Sequence, residues 1–225
     1  MKILQNIPMC FTKQDLQAQW SLPVETLNSR IRRALKSRAL LQLKNGLYMM
    51  RETYIHELNK EKLSEMITAK IRDPSYLSLE YVLEKHHVLP QRSSPSLTCV
   101  TTRMSRTFKN FMGTFAYSNI KPSCFFGFHE VPFQGEIYAI ATKAKALFDY
   151  FYLDSHLDYR NVKRLRVQLF KASAIQWQNF SEEDFKEFEQ HVWKSNSFKM
   201  MKVRRILEDH FSKKKFDVWA KNLFL

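Results

Sequence analysis

The chain has 225 residues, 44% of them hydrophobic and including 18 Phe, enough for one large domain or two ordinary ones and too apolar for a disordered chain. Its formal net charge of +14 is uneven: residues 1–51 hold 9 Lys or Arg against 2 acids, residues 52–193 hold 18 against 17, and residues 194–225 hold 9 against 3. Cationic ends favour a polyanionic partner through counterion release, without choosing among DNA, RNA and an acidic protein, and four glycines leave no Gly-rich phosphate loop, which argues against an ATPase or dinucleotide enzyme.

The three scattered cysteines, Cys10, Cys99 and Cys124, have no partner at metal spacing and suit reduced thiols in the cytoplasm. The opening MKILQNIPMC has only a broken apolar run, and no later stretch approaches the roughly 18 apolar residues of a span, so neither a secretion signal nor a membrane helix is expected.

Thr12-Lys-Gln-Asp15 has capping-box spacing, with Asp in place of the usual Glu or Gln, and opens a short helix holding Leu16, Gln19 and Trp20. After a turn through Ser21-Leu22-Pro23 comes a second helix, 24 to 38. Its Leu27, Ile31, Ala34 and Leu35 recur on one stripe and face a core. Thr26, Ser29, Arg30, Arg32, Arg33 and Lys36 then lie toward solvent. Asn45-Gly46 supplies the positive-φ residues of a tight hairpin, flanked by alternating Leu41, Leu43, Leu47 and Met49, with Lys44 near the tip.

Two helices, the second basic and followed by a hairpin, give the order of a winged helix-turn-helix whose second helix enters the major groove of double-stranded DNA. Ser29 and Arg33 are candidates for base edges, and Arg32, Lys36 and Lys44 for phosphates. The same pieces also suit a basic surface helix packed on a small sheet.

Residues 53–74 predict a helix linking this unit to the next, with Leu58, Met66, Ile67 and Ile71 as the buried positions and Asp73-Pro74 as the stop. Ser78 is positioned to cap a helix running from Leu79 to His87, whose paired His86 and His87 suit solvent-facing helix ends better than metal ligands. Strand-like runs follow at Leu97–Thr102, Thr114–Ile120, Ser123–Phe128 and Glu136–Ala141, giving a mostly antiparallel sheet of about four strands. Thr142 caps a helix with Ala144, Leu147, Phe148 and Phe151 on one face.

Ser181-Glu-Glu-Asp184 starts a helix to about residue 193 whose buried stripe is Phe185, Phe188 and Val192. A last helix, about 197 to 212, buries Met200, Val203, Leu207 and Phe211, carries Lys199, Lys202, Arg204 and Arg205 outside, and precedes the Lys213–Lys215 run.

The fold class expected is therefore α+β. A winged helix-turn-helix over residues 1–52 leads through a linker helix over 53–74 to a larger α+β domain over 75–225, with helices at its carboxy-terminal end. Thr101, Thr102 and Arg103 at a strand end could hold a phosphate, but Thr is a good strand residue, and Arg103 with Arg106 and Lys109 reads as a solvated or partner-facing edge. The central aromatic run from Phe108 to Phe133 could stack bases in an RNA-binding module, or simply fill a core. No carboxylate cluster of nuclease spacing is evident, and no catalytic residue, cofactor or metal is expected.

In the middle of the chain Ser75-Tyr-Leu-Ser-Leu-Glu80, Val88-Leu-Pro90, Val100-Thr-Thr-Arg103, Phe111-Met-Gly-Thr-Phe115, Ala141-Thr142 and Ala146-Leu-Phe-Asp149 occur in order. This series resembles the AbiEi family of antitoxins from bacterial type IV toxin-antitoxin (abortive infection) systems, over residues 75 to 155. The resemblance implies a non-enzymatic DNA-binding protein that represses its own operon at inverted repeats and counteracts a nucleotidyltransferase toxin encoded alongside. Where that family commonly has Pro-Glu-Lys, this chain has Lys143-Ala144-Lys145, and the retained Lys145 joins the expected partner-binding residues. The alternative is a winged-helix regulator without a toxin to oppose.

Overall fold

The computed structural model describes residues 8–93 and 96–223, and the side chains of these except at 172 and 213–223. Residues 1–7, on which the expected absence of a secretion signal turned, lie outside the described residues, as do the side chains of the Lys213–Lys215 run.

The chain opens with strand β1 (Cys10–Thr12), helices α1 (Lys13–Trp20) and α2 (Val24–Lys36), and the hairpin β2 (Leu40–Lys44) and β3 (Leu47–Met50). The capping box predicted at Thr12 forms: its side chain accepts from the backbone of Asp15, whose carboxylate accepts from the Thr12 backbone at 2.6 Å. Ser21 takes a left-handed conformation, φ 46°, and turns the chain into α2. The three strands pair antiparallel in the order β1-β3-β2.

The hairpin turn differs from the two positive-φ residues expected. Gly46 alone is left-handed, at φ 78°, and a bulge between Gln42 and Lys44 restores the strand twist. A turn with both residues at positive φ occurs instead at Gln134-Gly135.

Both faces of this small sheet are covered. Phe11, Leu40 and Tyr48 close a core with Leu16, Leu27 and Ile31 of α1 and α2, while Cys10, Leu43, Leu47 and Met49 join the core of the rest of the protein. The alternation expected for a half-buried pair thus sees only one of the two buried faces, because side chains on successive residues point oppositely and here both directions meet packing.

The expected linker is two helices, α3 (Arg51–His56) and α4 (Lys60–Ile71), broken at Leu58 and restarted by Asn59, whose side chain accepts from the Lys62 N–H. Leu58 is 97% exposed, not buried, since it lies in the break. Leu63, Met66, Ile67 and Ile71 of α4 are core residues, so α4 is a structural layer rather than a tether.

The large sheet is mixed, in the order β6-β7-β5-β4-β9-β8, from β4 (Ser75–Leu77), β5 (Ser96–Thr101), β6 (Arg106–Asn110), β7 (Gly113–Asn119), β8 (Phe128–Phe133) and β9 (Glu136–Ala141). The pairs β6-β7, β5-β4 and β9-β8 are antiparallel, and β7-β5 and β4-β9 are parallel, so three of the five pairs follow the antiparallel expectation within a sheet that is mixed. Six strands replace about four: β5, β7 and β9 fall on expected runs, β8 starts where the run expected at Ser123–Phe128 ends, and three-residue β4 and the charged edge strand β6 have no apolar alternation to betray them. The strand expected at Ser123–Phe128 is a 3-10 turn, Pro122–Cys124, followed by the start of β8.

Helix α4 covers one face of this sheet, where the Tyr117 hydroxyl donates to the Thr68 carbonyl and the Tyr138 hydroxyl to Glu65. The other face carries α5 (Leu79–Lys85) and α6 (Lys143–Leu153), and there the Tyr76 hydroxyl reaches Asp149. Ser78 does not cap α5; its hydroxyl donates to Asp149 at 2.8 Å instead.

Beyond lie α7 (Val162–Val167), α8 (Glu182–Ser195) and α9 (Phe198–Leu223). The Ser181–Asp184 capping box and the stripes of α8 and α9 bury as read, although α9 runs past residue 212. Of its four cations expected outside, Lys199 donates to the Tyr152 carbonyl, Lys202 to that of Tyr159, and Arg204 pairs with Glu189 and Glu208, leaving Arg205 exposed. No described helix is long and apolar enough to cross a membrane.

Candidate nucleic-acid interface

On α2 the buried Leu27 and Ile31, with half-buried Ala34 and Leu35, set the inner face. At 100° per residue, Ser29, Arg33 and Lys36 lie opposite that stripe, with Thr26 and Arg30 along one flank and Arg32 along the other. Thr26, Arg30, Arg32, Arg33 and Lys36 are all exposed, and Ser29 is half-buried. None of the four cations forms an ion pair with a described residue.

Two of these side chains are oriented from within. The Arg30 guanidinium sits 5.9 Å from the centroid of the Trp20 ring, tying α2 to the end of α1. Arg33 Nε donates to the Ser29 carbonyl one turn back at 3.4 Å, leaving its terminal nitrogens outward. A helix whose apolar stripe is satisfied and whose opposite face holds unpaired cations presents a strip of positive potential about one turn per contact along its length.

Lys44 is not part of this strip, which corrects its expected place near a free hairpin tip. Its ammonium turns toward the larger sheet and donates to the Ile71 carbonyl at 2.5 Å, at the end of α4, while Asn110 of β6 donates to the Leu43 carbonyl at 3.0 Å. Burial first, then the charges of Arg72, Arg103 and Arg106, hold Lys44 below the ordinary lysine range. The outer edge of the hairpin is thus docked against β6, because an unpaired strand edge beside another edge finds hydrogen-bond partners there.

The expected partner edge divides. Arg103, Arg106 and Lys109 are all exposed, but Arg106 and Phe108 share one face of β6 and Lys109 points to the other. Arg72, which joins Lys44, Arg103 and Arg106, was not singled out by sequence; the available signal was a cation closing a helix just before Asp73-Pro74.

Lys145 is no partner-binding residue. It is fully buried on α6, its ammonium 2.6 Å from Asp149 and donating to the Cys124 carbonyl at 2.9 Å, with the Phe126 and Phe148 rings each 4.6 Å away. Asp149, equally buried, accepts from Tyr76 and Ser78 as well. Burial pushes the lysine down and the carboxyl up, each opposed by the attraction of its partner. Every polar atom of the pair has company, so the cluster ties α6 to β4 and the Pro122–Cys124 turn. The aromatic run is likewise mainly packing: Phe115 and Tyr117 are buried, and Phe108, Phe125, Phe126, Phe128 and Phe133 lie against the core, with Phe111 largely exposed.

No family model matches this chain, and no curated protein matches it either.

Proposed function

We propose that this chain is a DNA-binding antitoxin of the type its central motifs resemble: a non-enzymatic autorepressor that reads an operator with inverted repeats through α2 and opposes a nucleotidyltransferase toxin. The observation carrying the DNA half is α2 itself, with Arg30, Arg32, Arg33 and Lys36 exposed and unpaired with any described acid. The order strand, helix, helix, hairpin, with β1 closing against β3, supports a winged helix-turn-helix in which the hairpin braces the second helix. Arg33 and Ser29 are the base-edge residues of this reading; Arg30, Arg32 and Lys36 serve phosphates. The toxin half rests on the sequence resemblance.

Two measurements test it. Footprinting on the chain's own promoter should protect inverted half-sites spaced by whole helical turns; no protection over random DNA would refute the repressor reading. Co-expression with the product of the adjacent gene should restore growth if that product is a nucleotidyltransferase toxin. A protected promoter without any such rescue would leave a regulator with no toxin to oppose.

A further inference from the structure

Four cations from separate segments converge where the small hairpin meets the large sheet. Lys44 at the end of β2, Arg72 closing α4, Arg103 between β5 and β6, and Arg106 opening β6 line one cavity of about 350 Å³, with Asp73 the carboxylate in its lining. No local run places them together; the docking of β2 on β6 does.

Stabilising the end of α4 does not account for all four. A helix carboxy terminus offers roughly half a negative charge, so with Asp73 about two and a half positive charges stay uncompensated. Lys44 already satisfies the Ile71 carbonyl. Arg72 donates from Nη2 to the Met104 carbonyl at 2.6 Å, yet its buried Nε has no hydrogen-bond partner among the described residues. A buried N–H left in this way costs about 1–3 kcal/mol. Arg106 is exposed and steadied over the Phe108 ring, 5.1 Å from its centroid.

We propose that this cavity binds phosphate groups. Guanidinium forks match the paired oxygens of phosphate, and the ammonium adds a point charge. At about 350 Å³ the space is near the small end of ligand sites, which suits one or two phosphates and not a large apolar molecule. Repulsion from the three arginines contributes, after burial, to depressing Lys44, and an anion would relieve it. An occupant would touch the hairpin and the large sheet at once, so its binding strengthens the seat of the α2-bearing unit. The phosphates could belong to a free nucleotide or to a nucleic-acid backbone. The site stands independently of the operator reading.

The test is calorimetric titration of the full chain with inorganic pyrophosphate. Saturable one-to-one binding is expected, weakened at least ~10-fold by Arg103→Gln with Arg106→Gln and unchanged by Lys109→Gln, on the other face of the same strand. Both arginines are exposed, and thermal unfolding checks that the variants remain folded. The source is separated with duplex DNA. If pyrophosphate displaces the duplex and the double variant flattens the slope of log affinity against log salt by about 2, the phosphates are those of the backbone. Unchanged DNA affinity alongside the lost pyrophosphate binding assigns a free phosphate compound. Absence of saturable binding at millimolar pyrophosphate, or equal weakening by Lys109→Gln, overturns the proposal.

Discussion

Replacing Lys145 by Met separates the electrostatic from the packing role of the buried pair. The substitution keeps a long apolar side chain between the Phe126 and Phe148 rings but removes both the 2.6 Å contact to Asp149 and the bond to the Cys124 carbonyl. Breaking a buried pair by removing one partner costs about 3–5 kcal/mol, mostly because the surviving charge is stranded. That cost has a ceiling, since Asp149 can take up a proton. Protonating a carboxyl costs about 1.4 kcal/mol for each pH unit above its ordinary pKa, hence ~4 kcal/mol at pH 7 and only about 1.5–2 kcal/mol at pH 5. Urea unfolding of the wild type and Lys145→Met at both pH values should therefore give a stability loss of about 4 kcal/mol at pH 7 that shrinks by roughly 2–3 kcal/mol at pH 5. A cavity or a misfit side chain has no reason to respond to pH. An equal loss at the two pH values, or a loss under about 1 kcal/mol at pH 7, would refute the account of a stranded carboxylate.

Arg33→Ala should remove about 1–3 kcal/mol of preference for the cognate operator, read as the ratio of cognate to random-duplex affinity, whereas Lys36→Ala should weaken both duplexes alike; equal effects from both substitutions would dismiss the base-reading role. Burial holds His191 below the ordinary imidazole range, with Lys145 lowering it further against the pull of Glu187. The unfolded chain therefore binds the proton more readily than the folded one, so this histidine's contribution declines as pH falls below about 6.5 toward its folded pKa; in His191→Gln, unfolding between pH 7 and 5 should show a flatter pH dependence. Gly127 has φ 76°, and a Cβ there would meet Lys145 and His191 side-chain atoms at 2.9 Å, whereas Gly135, at φ 78°, has open space. Gly135→Ala should cost about 1–2 kcal/mol from the backbone alone, and Gly127→Ala measurably more, by thermal unfolding; equal costs would mean that Lys145 moves aside freely. Thr12→Ala, which removes a formed capping box, should cost about 0.5–2 kcal/mol of stability.

How far the chain could be read from its residues depended on the range of the interaction. Thr12 with Asp15 and Ser181 with Asp184 are legible because a cap joins residues three apart, and the stripes of α2, α6, α8 and α9 because a helix repeats its face locally. Leu58 misled because hydrophobic spacing carried a helix across a break that Asn59 creates. Lys145 misled because the resemblance placed it among the partner-binding residues and a lysine is ordinarily outside; Asp149 lies four residues on in the same helix, but the Cys124 carbonyl that completes its buried surroundings comes from another segment.

The order of residues by itself determined the helix starts at Thr12, Thr142 and Ser181, the amphipathic α2 with its outward cations and the general α+β class, all consequences of short-range periodicity and capping. Only the tertiary structure decided that the large sheet is mixed, that α4 is a core layer, and that Lys44 turns from the hairpin tip to join Arg72, Arg103 and Arg106. Strand order, burial of a charge and the meeting of four cations are set by which surfaces pack together across long stretches of chain, and no periodicity within a segment encodes the identity of its distant neighbour.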